Sequence, residues 1–311
     1  MPSIIVHGGA GAYDPGDEHE RGLLAAVDAG WALLVGGGSA LDAVEASIVS
    51  MEDDPVFNAG LGSSLNIDGA VECDASLMLS DYSCGAVGGI RRAKNPIRAA
   101  RLVLERTDHV LIVGPGADSL AERMGLPSGD LVTERRAELH ERNLERLRAG
   151  EDLKFMPRIA GLSEEMGIGT VGAAALDAAG RLAAGTSTGG LMSKLPGRIG
   201  DGAVIGAGTY AGPHGAVSAT GHGEPIIKHV VAGAAVDAVR DVGIREAVAS
   251  VLEIGRHHEF GFGIVGVEEN GATAWGFTTQ AMSWARRDDS GTTTFLGKEI
   301  SIGDAGSEQT G

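Results

Sequence analysis

Two glycine-flanked segments in the second half of the chain carry the residue types that could hold and polarise a small zwitterion. Lys194-Leu195-Pro196-Gly197-Arg198-Ile199-Gly200-Asp201 sets a guanidinium and a carboxylate three residues apart in a glycine-rich loop. A free α-amino acid needs that pair: a fork of donors for its carboxylate and an anion for its ammonium. An ordinary surface ion pair has the same spacing. Thr220-Gly221-His222-Gly223-Glu224 follows a strand pattern and precedes a helical one. Backbone N–H groups there, with little side chain around them, can hold an oxyanion. Thr220 acting only as a helix cap is the other reading.

A nucleophile is harder to find. Gly185-Thr186-Ser187-Thr188-Gly189 matches the Gly-x-Ser-x-Gly elbow of esterases, and His7-Gly8-Gly9 echoes their oxyanion loop. The elbow needs a helix directly after the serine, and Leu191 to Gly197 is not a helix start. Gly114-Pro115-Gly116 lacks the third glycine of a dinucleotide fingerprint and the spacing of a P-loop, so it reads as a strand-to-helix turn. The nine histidines show no His-x-x-x-His spacing, and His257, His258 and Glu259 are adjacent, so a catalytic zinc is not expected.

Composition narrows the partners. The formal charge of −17 repels phosphate backbones, which argues against nucleic acid. It also repels acidic small molecules, so an acidic substrate needs a local cation. Two cysteines, Cys73 and Cys84, are too few for a disulfide framework and suit a reducing compartment. No segment reads as a secretory signal or a membrane span, and a cytoplasmic location is expected. Glycine, at 50 of 311 residues, is about twice its usual share, with apolar runs between, which implies tight turns and close backbone packing rather than disorder.

The positioning elements follow from periodicity. Ser3 to His7 reads as a buried strand entering a glycine loop. Glu20 to Val35 and Ser39 to Met51 read as helices, Ser39 capping the second. Ser64 to Leu79 predicts two strands around Asp68-Gly69, Cys84 to Ile90 another, Asn95-Pro96 a helix to Thr107, His109 to Val113 a strand, and Ala117 to Met124 a short helix. Glu134 to Arg148, with Glu and Arg interleaved, reads as a solvated helix. Gly150 to Gly169 reads as an exposed linker and the best internal boundary. Beyond it, Thr170 to Leu176 and Arg181 to Ser187 predict a hairpin around Asp177 to Gly180, and Ala203 to Ala207 and Ala216 to Thr220 further strands. Glu224 to Arg240 and Ile244 to Ile254 predict helices, Gly263 to Glu268 and Ala272 to Thr279 a hairpin, and Ser301 to Gly311 a frayed end. Hairpins exclude a wholly parallel doubly wound sheet; antiparallel sheets covered by helices, an α+β class, fit best.

The run Gly169-Thr170-Val171-Gly172-Ala173-Ala174-Ala175-Leu176-Asp177 resembles the processing site of the plant-type asparaginases, or isoaspartyl peptidases, within the N-terminal-nucleophile hydrolases. His7 to Gly11, Phe57-Asn58-Ala59-Gly60-Leu61-Gly62, Asn95 to Arg101, Thr186 to Gly190, Lys194 to Asp201 and Thr220 to Glu224 resemble that family's motifs in the family's order, covering about Ile4 to Trp284. The resemblance implies a four-layer αββα sandwich built from an α chain, 1–169, and a β chain, 170–311, together one domain and assembled as a homodimer of αβ units. It implies self-cleavage between Gly169 and Thr170, Thr170 as nucleophile, and Thr188 and Asn58 holding it. Thr220 and the Gly221 backbone would form the oxyanion hole, with Arg198 on the substrate α-carboxylate, Asp201 on its α-ammonium, and Gly221 and Gly223 lining the substrate. It implies no organic cofactor but a structural sodium ion on backbone carbonyls of Met51, Glu52, Asp54, Phe57, Ala59 and Leu61. L-Asparagine and β-aspartyl dipeptides are the implied small-molecule substrates.

The implied chemistry is self-consistent. A threonine hydroxyl needs a base, and cleavage before Thr170 would free an α-amine whose ordinary pKa is about 7.7–8.0. One residue then supplies nucleophile and base, which accounts for the missing Ser-His-Asp set. Other readings are a glycosylasparaginase or taspase-like processing protease on the same scaffold, a non-enzymatic amino-acid-binding protein, and the Ser187 esterase. Glycosylasparaginases usually carry aspartate before the nucleophile, where this chain has Gly169.

Overall fold

A computed structural model describes residues 1–148, 169–297 and 302–304. Within them helices and strands mix in an α+β arrangement. One sheet has eight strands: β1 (Ser3–Gly11), β2 (Cys73–Leu79), β3 (Cys84–Ile90), β4 (Leu111–Val113), β5 (Val171–Leu176), β6 (Leu182–Thr188), β11 (Ala281–Asp288) and β12 (Gly291–Gly297). Their order is β12-β11-β1-β5-β6-β2-β3-β4, with only β3 and β4 parallel. The second sheet runs β13 (Ile302–Asp304), β10 (Thr273–Phe277), β9 (Phe262–Glu268), β8 (Gly215–Gly221), β7 (Thr209–Ala211), all antiparallel.

Helices α1 (Asp17–Val35), α2 (Ala40–Glu52) and α3 (Pro96–Arg106) pack on the larger sheet, and α7 (Val231–His257) packs on the smaller. Ile5, Ala174, Ala184, Val265, Trp275 and Met282 belong to a buried cluster drawn from both sheets, which pack on one another through β5, β6, β8 and β9. The central strands are therefore covered on both faces. That is why β5, Val-Gly-Ala-Ala-Ala-Leu, and β6, Leu-Ala-Ala-Gly-Thr-Ser-Thr, are buried along their whole length instead of alternating. Part of the glycine content follows from the same packing. A Cβ at Gly185 would stand 2.7–2.9 Å from Leu77, Ile48 and Val44, and one at Gly30 2.3 Å from Ser47 Oγ.

Ser39 caps α2 as expected, accepting from the Asp42 N–H at 3.2 Å. α5 (Glu134–Arg148) has the expected bounds, α4 (Pro115–Arg123) begins at the turn after Gly114, and the hairpin of β5 and β6 closes at Gly180, φ +79. Several expectations change. The glycine run after His7 belongs to β1, which continues through a bulge between His7 and Gly9. Ser64 to Val71 makes one bridge, Leu65 to Val71, because the Asn66 side chain accepts from the Asp68 and Ala70 N–H groups and turns the chain early. Ala203 to Ala207 is not a strand; a 3₁₀ turn, Asp201–Ala203, takes its start. The helix expected from Glu224 breaks at Val230 (φ +50) into α6 (Gly223–His229) and α7, whereas the break expected between Arg240 and Ile244 is met by a kink in α7 at Gly243 (φ +80). In the end expected to fray, 302–304 pairs with β10. The expected linker lies outside the described residues apart from Gly169.

Candidate active site

The β5–β6 register sets the centre of the site. Gly172 pairs with Thr186, and two residues earlier, just ahead of β5, the Thr170 hydroxyl donates to Thr188 Oγ1 at 3.0 Å. Thr188 Oγ1 also accepts from the Gly190 N–H at 2.9 Å, which fixes its rotamer. Thr170 is 5% exposed and Thr188 2%. Asn58 stands beside them: its Nδ2 donates to the Gly190 carbonyl at 2.9 Å, its Oδ1 accepts from the Ser64 N–H at 2.7 Å, and its carbonyl accepts from the Gly189 N–H. Gly169 is wedged in this corner, where a Cβ would lie 3.4 Å from the Gly8 carbonyl and 3.6 Å from Asn58 Cβ.

Arg198 and Asp201 meet around Gly223. A Cβ on Gly223 would sit 2.7 Å from Asp201 Oδ1 and 2.8 Å from Arg198 Nη2, so both heads point at a spot only glycine leaves open. A Cβ on Gly202 would touch Thr188 Cγ2 at 3.0 Å, which ties this pair to the threonines. The surface-pair reading fails: Asp201 is 4% exposed, and Arg198 binds Glu224 instead, through Nε at 3.0 Å and Nη2 at 2.9 Å. Burial pushes the Asp201 carboxyl up to about 7, against the pull of Arg198. Burial also acts to raise Glu224, but Arg198 overrides it and the carboxyl stays below its ordinary value. Asp201 Oδ2 and Glu224 Oε2 are buried without a hydrogen-bond partner.

Thr220 is not a helix cap. It lies in β8, fully buried, and His222 takes the cap position of α6. Its hydroxyl has no partner. Thr220 shares a strand face with Ser218, and Thr170 shares one with Gly172. A Cβ at Gly172 would fall 2.0 Å from Ser218 Oγ, so Thr170 and Thr220 line the same layer between the sheets. At Gly221, φ is +133 and a Cβ would lie 2.6 Å from Phe262 Cα, so only glycine fits.

Ser187 is excluded as a nucleophile. It is fully buried in β6 and donates to Glu52 Oε1 at 2.6 Å, with no helix following. The loop expected to hold sodium offers carbonyl oxygen, the donor type such a cation takes. It folds back so that the Leu61 N–H donates to the Glu52 carbonyl at 2.7 Å, Asp54 N–H to Met51 at 3.3 Å and Phe57 N–H to Asp54 at 3.2 Å, with Gly60 and Gly62 at positive φ. The Glu52 and Asp54 carbonyls each keep a second lone pair, a hard donor suited to a hard cation.

Three residues were named in the sequence only as members of motifs and given no role of their own. Glu224 holds Arg198. Lys194, buried, donates to the Glu72 carbonyl at 2.7 Å behind that pair. His7 Nε2 lies 2.9 Å from Ser218 Oγ, which contacts Thr186 Oγ1 at 2.7 Å; Thr209 donates to Thr186 at 2.6 Å and Ser76 to Thr209 at 2.8 Å. The signal available was a lone histidine in an apolar strand.

With this geometry in hand, comparison with known proteins is decisive. The sequence model of the asparaginase family matches residues 1–296. The chain belongs to the asparaginase family. It is 44% identical over 296 residues to a Pyrococcus abyssi protein named plant-type L-asparaginase, covering 92% of this chain and 96% of the relative. It is 40% identical over 306 residues to a Bos taurus protein named isoaspartyl peptidase/L-asparaginase (93% and 94%), and 39% identical over 305 residues to the Homo sapiens protein of that name (93% and 94%). As a member of this family it is an amidohydrolase. Among the described residues no helix is long and apolar enough to cross a membrane.

Proposed function

We propose that the protein is a self-processing isoaspartyl peptidase and L-asparaginase whose nucleophile is Thr170. The observation that carries this reading is the Thr170 hydroxyl, buried directly after Gly169 and donating to Thr188. In processing, Thr170 Oγ1 adds to the Gly169 carbonyl carbon, the C–N bond breaks and its nitrogen takes the proton. Water then hydrolyses the ester, leaving a carboxylate on Gly169 and a free amine on Thr170. In turnover, that amine takes the hydroxyl proton as Oγ1 adds to the β-carbonyl of an aspartyl compound held by Arg198 and Asp201. The oxyanion faces the Thr220 hydroxyl and the Gly221 N–H. The leaving amine departs with the proton, and water releases aspartate from the aspartyl ester.

In this reading the two sheets and their helix coverings form a four-layer αββα sandwich. The chain divides into α, 1–169, and β, 170–311, which remain one domain because β5 and β6 of the second part sit between β1 and β2 of the first. The mature form is a homodimer of αβ units in the cytoplasm. Backbone carbonyls of Met51, Glu52, Asp54, Phe57, Ala59 and Leu61 would hold sodium, whose fixed charge braces the loop that carries Asn58.

On a denaturing gel the purified protein separates into two fragments, the smaller beginning Thr-Val-Gly-Ala, and asparagine releases ammonia. Thr170→Ala abolishes both. An intact single chain with full activity would overturn the mechanism.

A further inference from the structure

We infer that the cavity beside Gly169 is a leaving-group subsite built for an amino acid with a free α-carboxylate. This rests on the function proposed above and specifies the half of the substrate that Arg198 and Asp201 do not touch. The cavity, about 310 Å³, is lined by Gly8, Asn58 and Gly169, which surround the scissile bond, and by none of Arg198, Asp201 or Gly223. It therefore borders the residue on the carbonyl side of the bond that precedes Thr170, opposite in sequence to the Arg198 and Asp201 loop.

Its chemistry is unlike the rest of this acidic chain. Arg135, Leu139 and Arg142, at i, i+4 and i+7, share one face of α5 and all line the cavity, with Arg136 beside them. Arg136 is buried and donates through Nε to the Gly62 carbonyl at 2.5 Å. Burial first, and then Arg135, draw its pKa down to about 10, so two guanidinia are packed together in partly dry surroundings. Asp14 contributes one carboxylate to the lining against these three arginines. Val56, Phe57 and Leu139 give an apolar wall.

Size separates the two implied substrates. Ammonia, the leaving group of asparagine, is water-sized and needs roughly 30 Å³. An aminoacyl leaving group needs several times that, and brings one carboxylate for a guanidinium fork. When the β-amide C–N bond breaks, the nitrogen takes the proton, while the leaving carboxylate neither makes nor breaks a bond. The arginines thus act by binding, and their effect appears in kcat/KM for substrates that carry that carboxylate.

The test uses fully cleaved enzyme and three substrates: a β-aspartyl dipeptide with a free C-terminus, the same dipeptide as its C-terminal amide, and L-asparagine. The wild type prefers the free acid to the amide by about tenfold in kcat/KM, the worth of one charge-assisted hydrogen bond. Arg135→Gln and Arg142→Gln each pull that ratio toward 1, and so does raised ionic strength in the wild type. General damage to the enzyme scales both dipeptides alike and cancels in the ratio. A wild-type ratio near 1, or a ratio unmoved by both substitutions, overturns the subsite while Thr170-dependent asparagine hydrolysis still stands. Absence of asparagine hydrolysis in cleaved wild type overturns the proposed function and this inference with it.

Discussion

Thr170 donates its hydroxyl to Thr188 across 3.0 Å, and Thr188 is held in turn by the Gly190 N–H at 2.9 Å. Thr188 therefore acts as a fixed acceptor that aims the Thr170 oxygen. Thr188→Val keeps the shape and removes the acceptor. It should fold normally yet lose about 10–100-fold in kcat, the scale expected for misaimed reacting groups, whereas Thr188→Ser retains most activity. Ammonia release from asparagine measures kcat, and a denaturing gel measures cleavage. A Thr188→Val enzyme with wild-type turnover would show that Thr188 has no such role.

Gly223 gives a test of the anchor pair that leaves both charges in place. Its φ lies outside the left-handed region, so alanine strains no backbone there; the obstacle is space, with Asp201 Oδ1 at 2.7 Å and Arg198 Nη2 at 2.8 Å from the new Cβ. Gly223→Ala is expected to fold with a Tm near wild type and raise KM for asparagine by about tenfold or more, because the methyl takes the volume where the two heads converge. Unchanged KM would mean that substrate binds elsewhere.

The role proposed for Asp201 predicts binding that depends on pH. Burial lifts its carboxyl to about 7 in the free protein. A raised folded-state pKa means that its contribution to stability is complete below about 4 and is lost as pH rises through 7. The ammonium of a bound amino acid needs the ionised form, so L-aspartate affinity, read by calorimetry, should rise about tenfold per pH unit up to about 7 and then level. Asp201→Asn binds weakly with no such slope, and its thermal stability relative to wild type is higher at pH 8 than at pH 5 and higher at pH 5 than at pH 3. A wild-type affinity flat between pH 5 and 7 contradicts this role.

How much of this was legible in the sequence varies by element. The β5–β6 hairpin was, because Asp177 to Gly180 is a turn in its own right and the flanking runs are apolar throughout. Ala203 to Ala207 misled, since small apolar residues suit a crowded loop as well as a strand. Strands β11 and β12 were missed: Arg286, Arg287, Asp288 and three threonines in a row follow neither buried-strand nor alternating patterns at this sheet edge. Spacing alone left Arg198 and Asp201 open between a surface ion pair and an amino-acid clamp, and gave no sign of Arg198 with Glu224, 26 positions away and recruited only when α6 docks against the loop. Thr170 offered no local signal by residue type, because the amine proposed as its base is still part of a peptide bond, and only resemblance to a family marked it.

The chain of hydroxyls under the site gives the last prediction. His7 is fully buried with Nδ1 lacking a hydrogen-bond partner and Nε2 resting on Ser218. Burial depresses its pKa to about 3, against the opposing influence of the Thr170 backbone, so the ring is neutral at physiological pH. For a lowered histidine pKa the stability contribution is present above about 6.5 and is lost as pH falls toward 3. Ser218→Ala removes the side-chain partner of Nε2 inside the core, which should cost about 1–3 kcal/mol. In a His7→Leu background the same serine substitution should cost distinctly less, and the acid-side loss of stability should be shallower, because the buried imidazole that creates both effects is gone. Denaturant midpoints of the four proteins close this double-mutant cycle, and an equal cost of Ser218→Ala in both backgrounds would show that His7 and Ser218 are not coupled.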